Sequence, residues 1–169
     1  AMVIRTFLVQ AFRIPTGSMR TTLLEGDIIL VNKFIYGAKI PFTSFRLPAL
    51  REPKRGDVVV FIYPQDPKKD FIKRLVAVPG EKVEIKNGTL YVNGLPLLDP
   101  LFNRTYYYNR GDFGREGQEI TVPKSSFFVL GDNSASSQDS RYWGFVPSEN
   151  LLGEAIVIYW PPHRIRMIK

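Results

Sequence analysis

Two residues in this chain can do covalent chemistry together. Ser18 closes the run Ile14-Pro15-Thr16-Gly17-Ser18-Met19, where a Pro-x-Gly turn makes its hydroxyl project and leaves nearby backbone N–H groups unengaged. Lys73, followed by Arg74, interrupts an otherwise apolar run, Phe71-Ile72-Lys73-Arg74-Leu75-Val76-Ala77-Val78. Burial disfavours the charged form of an amine by up to ~3–5 pKa units, so a lysine on such a strand is a candidate for the neutral state. A neutral amine beside a hydroxyl acts as a general base, which makes Ser–Lys an alternative to Ser–His–Asp. The chain has one histidine and no cysteine, which nearly excludes histidine-centred and thiol chemistry. His163, in Pro161-Pro162-His163-Arg164, has no ligand-like neighbours, and neither a metal cluster nor a Gly-rich phosphate loop is visible. No cofactor is expected.

Plainer uses exist for both residues. Turn serines are common, and a lysine in a strand often lies at an edge or reaches water along its stem. A third segment weighs against them: Gly131-Asp132-Asn133-Ser134-Ala135-Ser136-Ser137-Gln138-Asp139-Ser140-Arg141-Tyr142-Trp143-Gly144-Phe145-Val146-Pro147, dense in small hydroxyl residues and anchored by aromatics. With it the chain resembles the type I signal (leader) peptidases, membrane-bound Ser–Lys endoproteases. Residues 14–19 resemble the family's nucleophile segment, Gly26 to Phe34 its second strand, and Arg55 to Phe61 with Tyr63-Pro64 and Asp70 to Arg74 its lysine segment, including Pro79-Gly80-Glu81. Residues 131–147 resemble its last segment. These matches run in family order over roughly half of the chain. Thr16 stands where many members carry serine, and Ser134-Ala135-Ser136 replaces the usual Arg-(Asp/Asn)-Asn, so any role of that arginine is absent.

The resemblance implies roles. Ser18 is the nucleophile and Lys73 the base, with the Ser18 N–H and the Thr16 hydroxyl as oxyanion donors. Ser137 hydrogen-bonds and orients the lysine amine. Asp139 is a structural acid expected to pair with Arg141 and Arg74. Phe12, Ile14, Pro15, Met19, Leu23, Val60, Phe71 and Ile72 line shallow apolar substrate pockets. Such pockets imply cleavage of secretory preproteins after Ala-x-Ala-like sites, with the substrate extended as an added strand. The implied location is the cytoplasmic membrane of a bacterial-type cell, with the catalytic region on the extracytoplasmic side and one or more anchors preceding the sequence given.

The elements that must position these groups are strands. Helical periodicity is scarce, and β-rich runs recur at 27–34, 57–63, 71–78, 82–85, 89–92, 119–122, 127–130 and 154–160. Asn87-Gly88 is a type I′ hairpin signal. The expected fold is all-β: a coiled, barrel-like antiparallel core from residues 1–82 and 122–169, with a small β-rich insertion over 83–121. Alternation along 71–78 puts Phe71, Lys73, Leu75 and Ala77 on one face and Ile72, Arg74, Val76 and Val78 on the other.

A length of 169 residues and 44% hydrophobic content suit one ordered domain with an insertion. The net charge of +7 favours anionic partners, either membrane or nucleic acid. The charges form no block, and the protease reading selects anionic lipid over nucleic acid. No apolar run reaches 18 residues. Residues 3–12 are strongly apolar, fitting either the end of an anchor or a first core strand. Residues 40–50, with Phe42, Phe45, Leu47 and Leu50 beside Arg46 and Arg51, fit either a membrane-dipping loop or a cover over the core. Tyr106-Tyr107-Tyr108 packs the insertion or lies near lipid head groups. Two other readings remain: a self-cleaving regulator with a Ser–Lys pair, and a non-catalytic basic β-domain binding nucleic acid or anionic membrane.

Overall fold

Alternating and fully apolar runs become strands whose faces are covered to matching degrees. The computed structural model describes residues 9–33, 35–37 and 50–168. Its strands are β1 (Val9–Arg13), β2 (Ile28–Asn32), β3 (Val58–Ile62), β4 (Asp70–Ala77), β5 (Lys82–Lys86), β6 (Thr89–Val92), β7 (Leu95–Pro96), β8 (Ile120–Thr121), β9 (Ser126–Leu130), β10 (Val146–Pro147), β11 (Leu151–Trp160) and β12 (Arg166–Met167). Two one-turn helices, α1 (Pro100–Asn103) and α2 (Ser140–Trp143), follow β7 and β9. Among the described residues, an eight-stranded antiparallel sheet runs β1-β2-β11-β3-β4-β9-β10, with β12 on β11. A four-stranded sheet runs β7-β6-β5-β8. The expected all-β, curled antiparallel architecture is the one observed.

β3 is apolar throughout because it is covered on both sides. Val58 and Val60 join Ile14, Met19, Leu23, Ile29 and Val31 in one cluster. Val59 and Phe61 join Leu75, Val129, Trp143 and Leu151 in another. Burying each such side chain stabilises the fold by about 1.5–3 kcal/mol. A third cluster joins the two sheets, packing Val76, Ala77, Phe128 and Leu130 against Val83, Ile85, Leu90 and Tyr107. The turn between β5 and β6 has Asn87 at φ 50° and Gly88 at φ 79°, as a type I′ hairpin requires.

The alternation expected along β4 fails at its end. The pairing of β4 with β9 shifts register between Leu75 and Ala77. Ala77 therefore packs beside Val76 between the sheets, and Val78 lies against the cluster containing Leu75. A bulge inserts one residue, and every side chain beyond it changes face. Of the apolar lead-in, residues 9–12 form most of edge strand β1 and the rest lies outside the described residues. The segment 40–50, read as a membrane-dipping loop or a cover over the core, also lies outside them, apart from Leu50, whose N–H donates to the Ile35 carbonyl at 3.0 Å. No helix among the described residues is long and apolar enough to cross a membrane.

Candidate active site

Ser18 sits on a tight turn anchored by its apolar neighbours. Ile14 exchanges backbone bonds with Asp27 and Gly26, and Leu23 N–H donates to the Met19 carbonyl at 2.8 Å. Met19 and Leu23 are 0% exposed. Lys73 comes from the middle of β4, 55 residues away in sequence, and its Nζ lies 2.9 Å from Ser18 Oγ. Nζ also donates to the Ile72 carbonyl at 3.1 Å and lies 5.2 Å from the centre of the Phe71 ring. Both Ser18 and Lys73 are buried. That burial pushes the Lys73 amine down to about 8, against an upward pull from the carboxylates of Asp139 and Asp132. Once the amine is neutral, its lone pair can accept the Ser18 proton across the same contact. Thr16 Oγ1 stands 3.5 Å from Ser18 Oγ, and no hydrogen bond among the described residues engages the Ser18 N–H.

The segment after β9 closes behind this pair. Asn133 N–H donates to the Ser18 carbonyl at 2.8 Å, and its Nδ2 to the Gly17 carbonyl at 2.9 Å. Gly131 permits the close approach, since a Cβ there would lie 2.1 Å from Ser137 Oγ and 2.6 Å from the Ser18 carbonyl oxygen. Ser137 is thus brought to the site, but the expected bond to Lys73 is not made: its buried Oγ has no hydrogen-bond partner among the described residues. The amine uses its reach on Ser18 Oγ and the Ile72 carbonyl instead.

The expected charge network also needs correcting. Asp139 pairs with Arg141 at 2.8 Å, both fully buried, and accepts further from the Gly131 N–H. Arg74 pairs with Asp132, Nη2 to Oδ2 at 2.8 Å and Nε to Oδ1 at 2.9 Å. The reason is register. Arg74 lies opposite Leu130, which sets Asp132 two residues beyond the pairing and directly at the guanidinium. Asp132 also accepts from the Thr22 hydroxyl, so one carboxylate ties β4 to the Ser18 turn. Ser134, standing where arginine is usual, accepts from Arg141 Nη1 at 2.9 Å and from the Tyr108 N–H at 3.0 Å.

A cleft of about 260 Å³ opens at the pair. Pro15, Phe71 and Ile72 supply apolar walls, the buried Ser18 and Lys73 line its interior, and Thr16, Asp70, Ser136 and Gln138 line it from exposed positions. Of the eight expected pocket residues, three line this cleft. Ile14, Met19, Leu23 and Val60 are instead buried in the hydrophobic cluster behind it, with Phe12 packed against that cluster, because strand and turn geometry turn them into the core. Sequence assigns no site role to Asp70, Ser136, Gln138, Asp132 or Asn133, although all five lie in the segments that carry the resemblance. Among the described residues one edge of β4 is also open: β3 pairs with residues 70–74 on one side, while β9 pairs on the other only from Arg74 onward.

The family model described as signal peptidase, peptidase S26, matches residues 1–160. A signal peptidase I of Pseudomonas aeruginosa is 37% identical over 194 residues, covering 95% of this chain and 68% of the relative. A probable signal peptidase I-2 of Synechocystis is 38% identical over 174 residues, covering 99% of this chain and 71% of the relative. A crystal structure of a signal peptidase I from Enterococcus faecalis superposes with a TM-score of 0.51 at 33% identity, covering 62% of this chain and 97% of that one. The chain belongs to the signal peptidase family, peptidase S26, and is a hydrolase of the serine endopeptidase class.

Proposed function

We propose that this chain removes signal peptides from secretory preproteins, with Ser18 as nucleophile and Lys73 as general base. The observation that carries this reading is a buried amine, pushed down to about 8, held 2.9 Å from a buried serine hydroxyl at the end of an open strand edge. The substrate lies extended along residues 70–73, its backbone bonding to the edge that β9 leaves open. Lys73 Nζ takes the Ser18 proton as Oγ attacks the scissile carbonyl. The oxyanion is met by the Ser18 N–H and the Thr16 hydroxyl, one such donor typically contributing ~3–4 kcal/mol. The ammonium then protonates the leaving amine, giving an acyl ester on Ser18. Water, deprotonated by the regenerated amine, hydrolyses that ester.

The small cleft and its walls of Pro15, Phe71 and Ile72 support selection of alanine-sized side chains before the bond. Asp139 with Arg141, and Asp132 with Arg74, hold the strand and the loop around the pair and take no chemical step. We place the reaction at the extracytoplasmic face of a membrane. Exposed Tyr159, Trp160, Ile165 and Met167 near Arg166 support contact with anionic lipid there. The test is incubation with a preprotein carrying an Ala-x-Ala site, followed by sequencing of the new N-terminus. Cleavage after the second alanine is expected, with Ser18→Ala and Lys73→Ala each reducing turnover by at least a thousandfold at unchanged circular dichroism. Substantial turnover by either variant contradicts the assignment, and no cleavage by the parent would leave a basic, non-catalytic domain.

A further inference from the structure

The open edge of β4 ends at the reacting pair. Leu130 takes the position opposite Arg74, and Asn133 crosses behind Ser18, so a bound peptide cannot continue along the sheet past Lys73. With the residues before the scissile bond on the edge at 70–73, the segment 134–138 offers an exit for those after it: Ser136 and Gln138 line the cleft, and Ala135 is exposed beside them. That segment rests on a loop of the smaller sheet. Arg110 Nη1 donates to the Ala135 carbonyl at 2.8 Å, and the Tyr108 N–H donates to Ser134 Oγ at 3.0 Å.

The outer side of this junction is aromatic and cationic. Tyr106 and Tyr108 are 58% and 40% exposed, with ring centres 4.9 Å apart. The Arg110 guanidinium lies 4.8 Å from the centre of the Tyr108 ring. Stacking and the bond to Ala135 hold an exposed cation in a fixed place, which lowers the entropy lost when it meets an anion. Asp112, the neighbouring acid, is itself paired with Arg115.

We infer that Tyr106, Tyr108 and Arg110 form an extended contact for the substrate segment that follows the scissile bond, and that they favour acidic and aromatic side chains there. The inference rests on the cleft being a peptide site, as proposed above. Exposed ion pairs contribute little individually, so each acidic residue in reach should improve kcat/KM by roughly two- to fivefold, mainly through KM, and added salt should erode the gain.

The experiment uses three lipid-free peptides identical through the cleavage site. They carry Asp, Ser or Lys pairs within the first five residues after it. The expected order of kcat/KM is acidic, neutral, basic for the parent, and it should invert for Arg110→Glu. Equal rates on all three peptides with the parent overturn the contact. A uniform loss on all three in Arg110→Glu, without inversion, means that Arg110 only supports the 134–138 segment and likewise overturns it. Unchanged peptide rates in Arg110→Glu combined with weaker flotation on anionic vesicles would assign the surface to lipid instead. Failure of the parent to cut any of them refutes the protease reading itself, a result distinct from equal cleavage of all three.

Discussion

At the scale of single residues, Lys73 is an amine held where its charge is costly. Its folded value of about 8 lies below the ordinary 10.5. Between those values the unfolded chain binds more protons than the folded one, so stability rises with pH across that window. Below about 8 both states are charged and the full cost is present. Lys73→Met is therefore expected to unfold at higher urea than the parent at pH 7. Its advantage should shrink by about 3 kcal/mol by pH 10.5, on about 1.4 kcal/mol per pKa unit. A gap independent of pH would mean that the amine is not depressed. Ser134 and Ser137 should separate in the opposite sense to each other. Ser134→Ala leaves the buried Arg141 short of an acceptor and should cost about 1–3 kcal/mol of stability. Ser137→Ala removes a hydroxyl without a partner, so stability should hold. Equal loss of melting temperature in both variants would contradict this division.

At the scale of elements, what matters is how β4 is locked to the Ser18 turn and to β9. Asp132 is the shared fastener, bonded to Arg74 from β4 and to Thr22 from the turn. Asp132→Asn leaves a buried guanidinium without its counter-charge, so a loss of about 3–5 kcal/mol is expected, measured by denaturant unfolding. A loss under 1 kcal/mol would show that the pair is not the fastener. Much of this scale could be read in advance. The run 89–92 is β6 itself, and 71–78 differs from β4 by one residue at each end. Two-residue pairings such as β7, β10 and β12 carry no period, and α1 and α2 are single turns, so neither leaves a sequence signature. Ser18 and Lys73 were legible because their residue types are unusual in their settings. The partner of Arg74 was not, since Asp132 and Asp139 lie in one segment and only the β4–β9 register decides between them. The bulge at Val76 was hidden for the same reason: strand alternation gives no sign of an inserted residue.

At the scale of the whole molecule, we propose that residues 83–121 are an insertion carried on the catalytic sheet. Val76, Ala77, Phe128 and Leu130 pack it on through one continuous cluster. The chain is strongly basic, with a net charge of +7, and exposes Tyr159, Trp160, Ile165 and Met167 at one end of the larger sheet. Apolar insertion and attraction to acidic lipid add, the second weakening as salt rises. Flotation with anionic vesicles should therefore exceed flotation with neutral ones. Trp160→Ser combined with Met167→Ser should reduce both, and equal flotation of that variant and the parent would remove this end of the sheet from the membrane surface.

The central claim is that Lys73, whose burial lowers the pH at which it loses its proton, is the base for Ser18. The pH dependence of kcat/KM for cleavage of a soluble small-x-small peptide tests it most directly, since that profile reports the free enzyme's essential base. The expected profile rises through an apparent pKa of about 8 as the amine loses its proton, and then reaches a plateau until other groups titrate. A profile that is flat from pH 6 to 9, or that falls with rising pH there, would contradict a lysine base and with it the mechanism.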